Sequence, residues 1–191
     1  MLNYVEIDIR TMITNKITEA EAGVWTAMTF ISKNYMVFST AIFSLYVLPK
    51  FASIFTKGDF IKELGKIYKT LLPIFGVGMI LVYLLRDYVI MIIYPDFTGM
   101  APLFKWQLLG DFVRLASLVL ANQFLAKRLV RSFIFTELLS LGLFYGFAYY
   151  FVEIYGIEGI TIAHFVRYVI YFGVVFALVL FNFKRKKTVN S

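Results

Sequence analysis

Seven ionisable side chains fall inside otherwise apolar stretches: Lys33, Lys105, Asp111, Arg114, Glu137, His164 and Arg167. A charge at the centre of a bilayer costs on the order of 2.5–3.5 kcal/mol even on the lenient insertion scale, so it normally faces a partner or a wet cavity. Gln107, Asp111 and Arg114 recur at i, i+4 and i+7, one face of a helix, and Asn122 continues the stripe. Thr26, Thr29, Lys33, Thr40 and Ser44 line one side of an earlier segment, and Thr161, His164, Arg167, Tyr168 and Tyr171 do so in the last. The spacing predicts a hydrated cavity with a positive balance, its substrate pathway formed by Lys33, Gln107, Asp111, Arg114 and Arg167. Lys and Arg suit phosphate, pyrophosphate or acidic sugars, because a guanidinium fork matches paired oxygens. Asp111, Glu137 and His164 are the candidates for coupling to a proton or cation gradient. No catalytic residue is assigned, and a single His with no Cys leaves no thiolate or His-based metal site.

Each of these residues has a plainer reading beside the functional one. Asp111 and Arg114 can neutralise each other at i, i+3. Glu137 lies close to a helix end and can be interfacial, His164 can bond a neighbouring helix, and Lys105 can extend its ammonium to the membrane surface. Trp25, Tyr35, Phe104 and Trp106 sit near the expected mouth, where they could stack on sugar faces or serve in an interfacial aromatic belt.

The elements that must hold these groups are membrane helices. Of the 191 residues, 60% are hydrophobic and only 16% charged, against roughly 45–50% and 25% in ordinary globular domains. A soluble domain of this size cannot hide that much apolar surface. Five apolar stretches, 22–48, 71–94, 102–126, 132–152 and 159–183, approach or exceed the ~20 residues that cross a bilayer as a helix. Helices satisfy their own backbone groups in lipid, which excludes a barrel for segments this long. Pro49 and Pro95 are expected to end the first two. Arg86 and Asp87 divide the second, leaving Leu71–Leu85 to span and Tyr88–Tyr94 to return along the interface. The expected fold is an all-α integral membrane protein. It has a segment 1–21, periplasmic or the remnant of a preceding helix, a five-helix lobe 22–183 and a cytoplasmic basic tail 184–191.

The net charge of +7 follows from topology. Lys50, Lys57, Lys62, Lys66 and Lys69, then Lys127, Arg128 and Arg131, then Lys184, Arg185, Lys186 and Lys187 fall on one side under five crossings. By the positive-inside rule that side is the cytoplasm and the N-terminus lies outside. The basic residues therefore do not call for a nucleic-acid partner. Met1–Asn15 is too polar for the apolar core of a signal peptide. Gly142 and Gly146 form a GxxxG spacing that would let two helices approach closely.

Gly23-Val24-Trp25, Ile31-Ser32, Tyr35, Leu48-Pro49-Lys50, Leu84-Leu85-Arg86-Asp87 and Phe97 occur in order along the chain. Phe104-Lys105-Trp106-Gln107-Leu108-Leu109-Gly110-Asp111, Ala126-Lys127, Glu137 and Tyr155-Gly156-Ile157-Glu158-Gly159 follow them. This ordered set resembles the second half of Wzx-type flippases, the O-antigen and enterobacterial-common-antigen (lipid III) translocases of the polysaccharide-exporter superfamily. The resemblance covers about residues 8–183, and its Trp-Gln-Leu-x-Gly-Asp string is the most distinctive piece. It implies a MATE-like fold of two six-helix lobes, of which this chain would be most of the C-terminal one. It implies an undecaprenyl-pyrophosphate-linked oligosaccharide as substrate, moved across the bacterial inner membrane without enzymatic chemistry or a cofactor. It implies membrane lipids, the missing N-terminal lobe and other polysaccharide assembly proteins as partners. Because a cavity between lobes needs both walls, the chain is expected to be a fragment of such a transporter, active or inactive alone. An ion- or drug-coupled exporter of the same superfamily, and a membrane glycan polymerase or ligase, are the competing readings.

Overall fold

A computed structural model describes the backbone of residues 2–189 and the side chains of residues 4–183 other than Thr98. The described residues form helices and turns only. In chain order they are α1 (Leu2–Lys16), α2 (Glu19–Ile42), a π-helical turn (Phe43–Val47), α3 (Leu48–Ala52), α4 (Lys57–Leu84), α5 (Arg86–Ile93), a 3-10 turn (Thr98–Met100), α6 (Leu103–Ala126), α7 (Val130–Tyr155) and α8 (Glu158–Val189). Five stretches are long and apolar enough to cross a membrane: 19–52, 57–84, 103–126, 130–155 and 158–183. The expected all-α membrane fold is thus what the chain adopts. The side chains of the basic tail, Lys184, Arg185, Lys186 and Lys187, and residues 190–191 lie outside the described residues.

Local chemistry sets the helix starts. Thr18 accepts a hydrogen bond from the Glu21 amide (3.2 Å), and Thr56 accepts from the Asp59 amide (3.1 Å) while donating to its carboxylate (2.7 Å). Each cap satisfies an amide that the first turn leaves without a carbonyl. The second cap starts α4 at Lys57, well before the expected Leu71, so much of the lysine-rich connection is helix. Pro49 does not end the first span. The helix widens into the π turn just before it, where the Leu48 amide bonds the Phe43 carbonyl. The wider turn accommodates a ring that would otherwise collide with the preceding turn, and the span continues to Ala52.

The bundle is organised around α6. Of its membrane stretch 56% is buried within the bundle, against 11% for α4, so α6 is the central post and α4 an outer wall. Helix α8 packs on both α6 and α7. Ile9 and Ile13, one turn apart on α1, are fully buried with Trp25, Phe144 and Ala148, so α1 is docked onto α2 and α7. Residues such as Leu45, Ile80 and Phe181 point outward, as they should where the surroundings are lipid. Between helices in lipid there is no hydrophobic gain, and close packing supplies the cohesion. Two glycines show how close that packing is. A Cβ on Gly110 would lie 2.4 Å from Cδ2 of His164, and one on Gly159 would lie 2.2 Å from the Phe151 carbonyl oxygen. Gly156, at φ +58°, turns the chain between α7 and α8 in a region that side chains rarely enter. Gly142 and Gly146 meet nothing within 4 Å, so their GxxxG spacing is not used within the chain.

Candidate functional site

The absence of a side chain at Gly110 lets His164 of α8 lie directly against α6, beside Asp111. Asp111 is fully buried and is the hub of the polar interior. Its Oδ2 accepts from Ser32 Oγ (2.5 Å), from the Tyr35 hydroxyl and from Gln107 Nε2 (3.2 Å). Its Oδ1 lies 2.9 Å from His164 Nε2 and 4.0 Å from Arg114 Nη1. Three helices, α2, α6 and α8, therefore converge on one carboxylate. Buried charge is tolerable when its oxygens are filled in this way, and removing its donors would leave it costly.

His164 passes the chain of contacts onward, with Nδ1 3.4 Å from Nη2 of Arg167. The neutral tautomer with hydrogen on Nε2 fits both neighbours, donating to Asp111 and accepting from Arg167. Arg167 is 6% exposed and forms no ion pair among the described residues. Its guanidinium lies over the rings of Phe144 (4.4 Å) and Tyr168 (4.2 Å), and its Nε has no hydrogen-bond partner; nor does Nε of Arg114. Lys33, Arg114 and Arg167 line a pocket of about 200 Å³ together with Glu6, Gln107 and His164. Beside it a second, more open groove of about 370 Å³ runs between α1 and α2, past Arg10, Thr26 and Thr29. Arg167, with no ion pair among the described residues and at the border of a cavity, is what an anionic group would meet there.

The structure brings some of the expected residues together and separates others. Lys33 borders the pocket, but its ammonium bonds Glu6 of α1 (2.5 Å) and its side chain is half exposed. Lys33 shares its side of α2 with exposed Thr26, Thr40 and Ser44, whereas Ser32, Tyr35 and Ser39 occupy the side turned to the bundle. Asn122 bonds the Leu118 carbonyl of its own helix (2.7 Å) and adds nothing to the Asp111 stripe, as Thr161 bonds Glu158 (2.9 Å). Phe104 is fully buried in the apolar core and cannot stack on a ligand. Trp106 packs on Phe165 (5.7 Å). Glu137 is separate from the hub, accepting from the Tyr171 hydroxyl (2.7 Å), and Lys105 is exposed at the start of α6. Sequence reasoning missed Ser32 and Tyr35 as ligands of Asp111 and Glu6 as the partner of Lys33. The i, i+3 spacing of the first two was the available signal.

Among the described residues no group of three His, Cys, Asp or Glu is placed to hold a metal. Five helices long and apolar enough to cross a membrane among the described residues, enclosing a bonded acid and an arginine with no ion pair, define a multi-pass membrane protein with a polar interior. The chain is 32% identical over 168 residues, 87% of its length, to the Lipid III flippase of Escherichia coli K12, and matches that of Shigella flexneri to the same extent. It is a homologue of the Lipid III flippases, as the ordered motifs indicated. It spans about 40% of the length of those relatives. No family model and no solved structure matches it.

Proposed function

We propose that this chain contributes to flipping an undecaprenyl-pyrophosphate-linked oligosaccharide across the bacterial inner membrane for O-antigen or enterobacterial common antigen synthesis. The observation that carries this reading is the pocket bordered by Lys33, Arg114 and Arg167, of which Arg167 forms no ion pair among the described residues. An entering pyrophosphate or acidic sugar would give Arg167 its counterion, and similarity to flippases favours transport over catalysis. In this reading the chain is a C-terminal lobe of MATE-like architecture. A first lobe closes the open side of the cavity, the N-terminus is periplasmic and the C-terminus cytoplasmic. Other polysaccharide assembly proteins receive the product. Asp111 with His164 is the coupling candidate on the pathway, since the pair sits one contact from Arg167.

The test is translocation of lipid-linked oligosaccharide in flippase-deficient cells supplied with this chain and a matching first lobe. Arg114→Gln with Arg167→Gln is expected to cut translocation at least about tenfold, the loss of ~1.4 kcal/mol of charge-assisted contact. Translocation unchanged in a variant that reaches the membrane at normal levels overturns the assignment.

A further inference from the structure

The opposite side of α6 carries a different feature, a groove of about 460 Å³ between α4 and α6. Gly76, Ile80 and Tyr83 of α4 face Lys105, Leu109 and Phe112 of α6, each set at i, i+4, i+7 and so on one helical face. The helices run antiparallel, because a Cβ on Gly76 would touch Phe112 at 3.4 Å while Tyr83 and Lys105 share the other end. The groove is about 10 Å long, seven residues at 1.5 Å each. It is closed by Phe112 over Gly76, apolar along its length, and polar only at its mouth. Ile80 and Leu109 are exposed, so it opens sideways to lipid.

One cation lines that mouth and a second is held next to it on Tyr83. The Lys105 ammonium lies 4.9 Å from the Trp106 ring and has no ion pair among the described residues. Arg86, first residue of α5, stacks on Tyr83 (4.6 Å) and donates to its carbonyl (2.9 Å), while Asp87 neutralises it in part (3.7 Å). An apolar slot ending in positive charge is complementary to an amphiphile with one anionic head and one hydrocarbon chain.

We propose that this groove binds one anionic glycerophospholipid of the surrounding bilayer, with an acyl chain between α4 and α6 and its phosphate at Lys105 and Arg86. The bound lipid is distinct from the transported one. Lys105, Leu109 and Phe112 each lie two residues, about 200° around the helix, from Gln107, Asp111 and Arg114. A lipid whose pyrophosphate occupies the cavity cannot also place it at Lys105. The inference thus does not depend on what the cavity transports.

Native mass spectrometry of the purified full chain, with equal phosphatidylglycerol and phosphatidylcholine added in detergent, tests it. Phosphatidylglycerol is expected to be retained about fivefold more, the preference given by one cation near a lipid headgroup. Lys105→Gln should reduce that preference, leaving what Arg86 supplies, and Gly76→Leu should remove both adducts by filling the slot. Lys105→Gln changes an exposed side chain, so the test survives if Gly76→Leu fails to fold. Equal retention by the unaltered chain, or an undiminished preference in Lys105→Gln, overturns the proposal. So does loss of the adduct in Arg167→Gln, which would put the headgroup in the cavity. Undecaprenyl phosphate outcompeting phosphatidylglycerol at a Lys105-dependent site would overturn the choice of lipid.

Discussion

Asp111 and Arg167 are separated by a single imidazole, yet their surroundings are opposites. Every oxygen of the acid is occupied, by donors from three helices. The guanidinium is buried to a similar degree, is held largely by ring faces and keeps an idle N–H. Burial is therefore a poor guide to the role of a charge in a membrane bundle. The count of acceptors and donors around it is a better one. Asp111 ties the helices together; Arg167 is held by ring faces with no ion pair among the described residues.

That contrast can be broken most directly at the acid. Asp111→Leu strands the Ser32 and Tyr35 hydroxyls and the Gln107 amide in the interior. It should destabilise the detergent-solubilised chain by ~3–5 kcal/mol, the range for breaking a buried charged network, read as a lowered unfolding midpoint. Arg167→Met, which keeps the bulk and breaks no ion pair, should cost under about 1.5 kcal/mol in the same measurement. Equal losses in the two variants would erase the distinction. Gly110→Ala comes next, because it pushes His164 off Asp111 without touching either side chain. An overpacking cost of ~1–3 kcal/mol is expected, with the His164 ring proton resonances shifting in NMR.

The smallest effect concerns α1. Lys16 bonds Glu153 of α7 and lies over the Tyr149 ring (3.5 Å), and the bond to Glu153 holds its ammonium above the usual lysine range. A raised value means this tether is fully present below about pH 10.4, the unfolded lysine value, and is lost as pH rises through the folded one. A spin-label distance between α1 and α7 should stay constant below that pH and broaden above it. Lys16→Met should show the broadened distribution at every pH.

The five spans were legible because length and hydropathy are local properties. The Gln107–Asp111–Arg114 stripe was legible too, since polar residues inside a span have few places to go. The orientation of α2 was not. In a membrane both the core face and the lipid face are apolar, so periodicity identifies a polar stripe without saying where it points. The Thr26–Lys33 side proved to border the groove toward α1, and Ser32 and Tyr35, read for other reasons, were the partners of Asp111. The Lys33–Glu6 pair depends on how α1 docks, through Ile9 and Ile13, and no spacing encodes it. Pro49 misled because the π turn ahead of it absorbs the steric conflict that would otherwise end the helix.

Gly110 and Gly159 have a mechanical consequence. Where only a hydrogen atom separates two backbones, there is no clearance for one helix to slide along the other. A shift of one residue would drive Asp111 or Leu109 into the space beside His164, and Glu158 or Ile160 into the Phe151 carbonyl. Helices α6, α7 and α8 are thus geared together, and α2, tied to the same block through Ser32 and Tyr35 on Asp111, has to move with them.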